Sequence, residues 1–121
     1  MTQLVLKLLL SKEGSDFEVL RRQLEQAELK EREDTGVGFF VDIVVPESAP
    51  SLPGCASGLV STLNADVLGT TYGVGFLIFV KHGRMTMLEC YSHAGEILPA
   101  SLREEDLRFE DLASIQLTRH A

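Results

Sequence analysis

Two apolar runs, VGFLIFV (74–80) and MTMLECY (85–91), flank Lys81-His82-Gly83-Arg84, and this pair constrains the fold more than any other feature. A two-residue hairpin turn needs positive φ at both central positions, which Gly83 adopts freely and His82 tolerates better than most residues. An uninterrupted ladder from that turn pairs Val80 with Met85, Ile78 with Met87, Phe76 with Glu89 and Val74 with Tyr91 on one face. Leu77, Phe79, Leu88 and Cys90 then fall on the other face. Both faces are largely apolar, which predicts a hairpin in the interior of a sheet.

The flanking segments supply the rest of a domain. GVGFFVDIVV (36–45) reads as a strand with apolar residues on both faces, ended by Pro46. Ser15 and Glu18 have the S-x-x-E spacing of a capping box, and Phe17, Leu20, Leu24 and Ala27 follow at helical spacing. With Arg21, Arg22, Glu25 and Gln26 on the other side, this is an amphipathic helix over about 16–27. Residues 2–10 favour helix on leucine content, although a strand buried on both faces also fits. The charged run 28–34 suits either a fraying helix end or a polar edge strand. PESAPSLPGCASG (46–58) is a loop. Residues 59–69 carry only a weak apolar pattern. Ser101 and Glu104 suggest a second capping box, and 106–117 reads equally as strand or helix.

The fold these pieces predict is one α+β domain spanning 1–121. It has an antiparallel sheet of four to five strands, with the N-terminal helical segment packed on one face. At 121 residues the chain buries enough surface to need no disulfide or metal staple.

Charge narrows the partners. Eleven basic against eighteen acidic residues give a net charge of −7. Phosphate and anionic lipid surfaces are recognised through clustered Lys and Arg, and no such cluster occurs, so neither nucleic acid nor membrane is an expected partner. A basic protein is electrostatically the better fit. Acidic stretches at 25–34 and 104–111 serve as solvated faces, or steer such a partner. The LVLKLLL run has no basic stretch before it and is interrupted by Lys7, unlike a secretory signal. A cytoplasmic location with reduced thiols at Cys55 and Cys90 is the expectation.

Chemistry-bearing motifs are scarce. GVGF occurs at 36–39 and again at 73–76, but each copy opens a strand and lacks the third glycine of a dinucleotide loop. Two glycine-bearing strands in one sheet, bulged or close to an aromatic neighbour, account for the echo. His82, His93 and His120 show no metal-ligand spacing, and no metal or cofactor is implied. Cys55 reads as a free loop thiol and Cys90 as core. Glu89 stands out, because the ladder above places it opposite Phe76 among apolar neighbours. A carboxylate there must be paired or held at a raised pKa. A structural partner such as Arg32 or backbone N–H groups is the simpler account. The functional one groups Glu89, Tyr91, His93 and Arg32 as ligand-binding candidates, able to exchange protons if they converge.

The segments RExTGxGFF (Arg32–Phe40), GxGFLxFxxxG (Gly73–Gly83) and LExYxxxGExxP (Leu88–Pro99) together resemble a group of small bacterial proteins with no assigned chemistry. The resemblance spans roughly 20–110 and departs at Leu98, where that group often carries an aromatic. It implies a bacterial cytoplasmic protein and transfers a fold without a catalytic role. The leading expectation is a non-catalytic acidic protein that binds another protein, in an immunity-like or regulatory role. A small-ligand-binding protein or enzyme using Glu89 is the alternative, and a homodimer through the apolar N-terminus or an exposed strand edge is a third option.

Overall fold

The computed structural model describes residues 1–99 and 102–109. The expectations for Ser101, for 110–117 and for His120 lie outside those residues, as does the side chain of Cys55. Two helices, α1 (Thr2–Leu9) and α2 (Ser15–Gln26), precede seven strands. The strands are β1 (Glu28–Leu29), β2 (Glu33–Asp34), β3 (Gly38–Val44), β4 (Gly58–Val67), β5 (Val74–Lys81), β6 (Arg84–Ser92) and β7 (Leu107–Phe109). They form one antiparallel sheet in the order β1-β3-β6-β5-β4-β7, with β2 pairing separately to β3. Thus the class is α+β with both helices N-terminal, while the sheet has more strands than the four to five expected. The added strands are short or polar, which is why hydrophobic pattern alone passes over them: β1 and β2 arise from the charged run 28–34, and β7 is three residues long.

Each helix buries one stripe. In α1, Val5, Leu6 and Leu9 are buried while Gln3 and Lys7 face solvent, so the leucine-rich run is amphipathic after all. In α2 the buried pair is Leu20 and Gln23, one helical turn apart. The capping box expected at Ser15 does not form, because Gly14 is the N-cap and Ser15 is already inside the first turn. Asp16 and Glu18 still complement the helix dipole there. At the end of α1, the Arg21 guanidinium donates to the Leu10 and Lys12 carbonyls at 2.7 and 3.0 Å, tying the two helices together. Among the described residues no helix is long and apolar enough to cross a membrane.

The hairpin turns where expected, with φ of 51° at His82 and 80° at Gly83. Its register then departs from the uninterrupted ladder. Val80 pairs with Met85, but Phe79 pairs with Met87, leaving Thr86 as an extra residue in a β-bulge. Past the bulge every β6 side chain changes face. Leu88, Cys90 and Ser92 turn inward beside Ile78, Phe76 and Val74, and Met87, Glu89 and Tyr91 turn outward. Glu89 therefore pairs with Leu77 and not with Phe76, and it leaves the core. The physical reason is the cost of the alternative: an unbroken ladder would bury a carboxylate against Phe76.

The core lies between the helices and the inner face of the sheet. Phe39 meets Phe76 edge-on at 6.3 Å, and Leu6, Leu9, Leu20, Ile78 and Leu88 pack around them. Ser61, buried on β4, donates to the Leu9 carbonyl at 2.8 Å and locks the end of α1 to the sheet. Gln23 performs the equivalent task for α2. It is fully buried, donates to the Pro50 and Gly83 carbonyls at 2.9 and 2.8 Å, and accepts from the Met85 N–H at 3.0 Å.

Candidate site on the outer face of the sheet

The two helices pack on the inner face, and the outer face of the four long strands is built in rows. One row runs Phe40, Glu89, Leu77, Thr62, and the next runs Asp42, Met87, Phe79, Leu59. Phe40, Leu77, Phe79 and Met87 are half-buried, whereas Leu59 at 52% and Val44 at 46% stand well out. Among these apolar residues sit two carboxylates, Asp42 and Glu89. Neither side chain makes a hydrogen bond or ion pair with any described residue.

The third row explains the GVGF echo. Gly38 and Gly75 lie on either side of Tyr91, each as its direct cross-strand partner. The Tyr91 ring covers Gly75, where a Cβ would meet ring Cζ at 2.5 Å and Oη at 2.6 Å. At Gly38 a Cβ would collide with the Cys90 carbonyl. Gly75 thus cradles the Tyr91 ring while Gly38 admits the Cys90 carbonyl, and the two phenylalanines one step on, Phe39 and Phe76, meet in the core beneath. Tyr91 in turn meets the His93 ring edge-on at 5.3 Å. His93 Nε2 lies 3.1 Å from Asn64 Oδ1, an oxygen that can only accept, so Nε2–H donates in this contact.

Of the four residues singled out in the sequence, the fold brings Tyr91 and His93 together and keeps Glu89 on the same face. Arg32 is elsewhere. Its guanidinium stacks on the inner-face ring of Phe39, 4.7 Å from the centroid, pairs with Asp34 at 2.9 Å and donates to the Leu102 carbonyl at 2.9 Å. Arg32 is therefore a structural cation at the lower edge of the core, and it is not the partner of Glu89.

Beyond His93 the outer face opens into a cleft of about 360 Å³ lined by Asn64, Asp66, Tyr72, His93 and Arg108. Tyr72 is set by Glu96, whose carboxylate accepts from the Thr71 and Tyr72 N–H groups at 2.9 to 3.0 Å. The sequence reading missed Asn64, Asp66, Tyr72 and Arg108. For the β4 pair a signal existed: Leu63, Ala65 and Val67 alternate with Asn64 and Asp66, a period of two that marks a half-buried strand. Nothing local marks Arg108 or Tyr72, which arrive through tertiary structure.

Two other groups can be set aside. Cys90 is buried, and its thiol is pushed up to about 12, first by burial, with the Arg32 charge pulling it down and Glu89 raising it further. It is an inert core thiol. Among the described residues no three His, Cys, Asp or Glu side chains stand close enough to hold a metal ion. No protein-family model, curated protein or solved structure matches the chain.

Proposed function

We propose that this is a non-catalytic protein-binding domain that docks a basic partner on the outer face of its sheet. The observation that carries the reading is an open apolar surface holding carboxylates with no partner among the described residues. Phe40, Leu77, Phe79 and Met87 provide the aromatic and thioether contacts that interface cores favour. Asp42 and Glu89 provide fixed negative charge in the same surface, within a chain of net charge −7. Apolar burial supplies affinity, and the carboxylates select against acidic partners and speed encounter with basic ones. The alternative, a small-ligand-binding protein or enzyme using Glu89, Tyr91 and His93, keeps those three on one face but without Arg32, which packs on Phe39 at the inner side.

The test is site-specific photo-crosslinking in cells from position 77, with position 22 on the solvent side of α2 as control. The expected result is a defined adduct from 77, absent from 22, with a protein whose contacting surface is basic. Glu89→Lys should weaken binding of that protein at least about tenfold, and Glu25→Lys should leave it unchanged. Equal crosslinking from both positions, or indifference to Glu89→Lys, overturns the reading.

A further inference from the structure

We propose that the cleft at the end of the outer face is a binding site for a small zwitterion of the α-amino acid type. The placement begins with strand alternation. Asp66 faces outward between the inward Ala65 and Val67, and Arg108 faces outward between Leu107 and Phe109. They are direct cross-strand partners. The Leu68 N–H bonds the Asp106 carbonyl at 2.9 Å, which makes Asp66 and Arg108, one repeat further along the ladder, a hydrogen-bonded pair with Cα atoms about 5.5 Å apart.

Despite this adjacency the two charges do not close on each other. Arg108 and Asp66 form no ion pair, and neither side chain bonds to any described residue. Both line the same cleft. Closing an exposed pair of this kind contributes little, so a ligand that separates the charges loses little by doing so. A positive and a negative group side by side, each unsatisfied, match a ligand that carries both charges on one carbon. The α-carboxylate would take the planar fork of Arg108, and the ammonium would take Asp66.

The remaining walls define what the rest of the ligand is. The backbone of the turn carrying Tyr72 is held by Glu96, and His93 is fixed between Asn64 and the edge of Tyr91. These two rings face a volume of about 360 Å³, near the lower end of small-molecule sites at roughly 300–1,000 Å³. An amino acid with an apolar or aromatic side chain fits both the size and the rings. A plain carboxylic acid would bring its charge against Asp66, and a plain amine would bring its charge against Arg108.

The experiment titrates the full-length, isotope-labelled chain with L-phenylalanine, 3-phenylpropionate and 2-phenylethylamine, following the His93 and Tyr72 resonances. L-Phenylalanine is expected to shift both with a dissociation constant near ~1 mM, and the two single-charge analogues to bind at least ~tenfold more weakly. Asp66→Asn and Arg108→Gln should each weaken binding by ~tenfold or more while resonances of the inner core stay in place. No response to L-phenylalanine overturns the proposal, as does an equal response to all three compounds or binding that survives both substitutions. Glu89→Lys should leave this titration unchanged, which keeps its outcome separate from that of protein docking on the outer face.

Discussion

Gln23 is the only fully buried polar side chain that ties α2, the 46–57 loop and the hairpin turn together, among the described residues. Replacing it with Met keeps nearly the same volume and a similar helix propensity, so packing and helix formation change little. What is lost is hydrogen bonding. The Gly83 carbonyl keeps the Leu52 N–H at 2.9 Å, and the half-buried Pro50 carbonyl can turn to water. The Met85 N–H has no substitute, and an orphaned buried donor costs about 1–3 kcal/mol. Gln23→Met should therefore destabilise the fold by about 2 kcal/mol, out of roughly 5–15 for a domain of this kind. Gln23→Ala adds a cavity and should cost about 3–5 kcal/mol. Urea unfolding would read both, with unchanged m-values, and Tm should fall roughly 4 °C per kcal/mol. Hydrogen exchange should show the Met85 amide losing protection in Gln23→Met beyond the global loss. A Met variant within about 0.5 kcal/mol of the parent, with Met85 still protected, would refute the reasoning.

Four further outcomes are expected. Gly75→Ala places a Cβ 2.5 Å from the Tyr91 ring and should cost about 1–3 kcal/mol; Tyr91→Ser should relieve most of that, and additive effects in the double-mutant cycle would sink the cradle account. Cys90 should resist iodoacetamide near pH ~8 in the native state, read by peptide mass spectrometry, because its thiol is raised from 9.0 to about 12. Since folding favours the protonated thiol, the stabilisation is whole below pH 9 and is lost as pH rises to about 12, so alkaline unfolding should be less steep in Cys90→Ala. His82→Asn, at a φ of 51°, should raise stability by about 0.5–1 kcal/mol, and no gain in the urea midpoint would count against a strained turn.

Elements specified by their own residues were legible. The turn at His82-Gly83, the stripe of α2 and the strand in 38–44 follow from local chemistry: positive φ, helical spacing and an apolar run closed by Pro46. The charged run 28–34 and the weak pattern 59–69 were ambiguous alone, because a strand with a polar face becomes recognisable only beside its partner. The capping box failed at Ser15 because Gly14, with its φ of 121°, took the cap one residue earlier.

The candidate site divides the same way. By itself the sequence determined that Glu89, Tyr91 and His93 share a face and that the paired GVGF segments belong to two strands of one sheet, since alternation and glycine placement are local properties. Only the tertiary structure decided which face that is. The register break at Thr86 depends on what the buried side of the hairpin must accommodate, and one extra residue moved Glu89 from the core to the surface. The same long-range pairing set Gly38 and Gly75 around Tyr91, carried Arg32 away to Phe39, and brought Arg108 beside Asp66. Those neighbours are far apart in the chain, and the free energy that selects them resides in contacts the linear pattern does not contain.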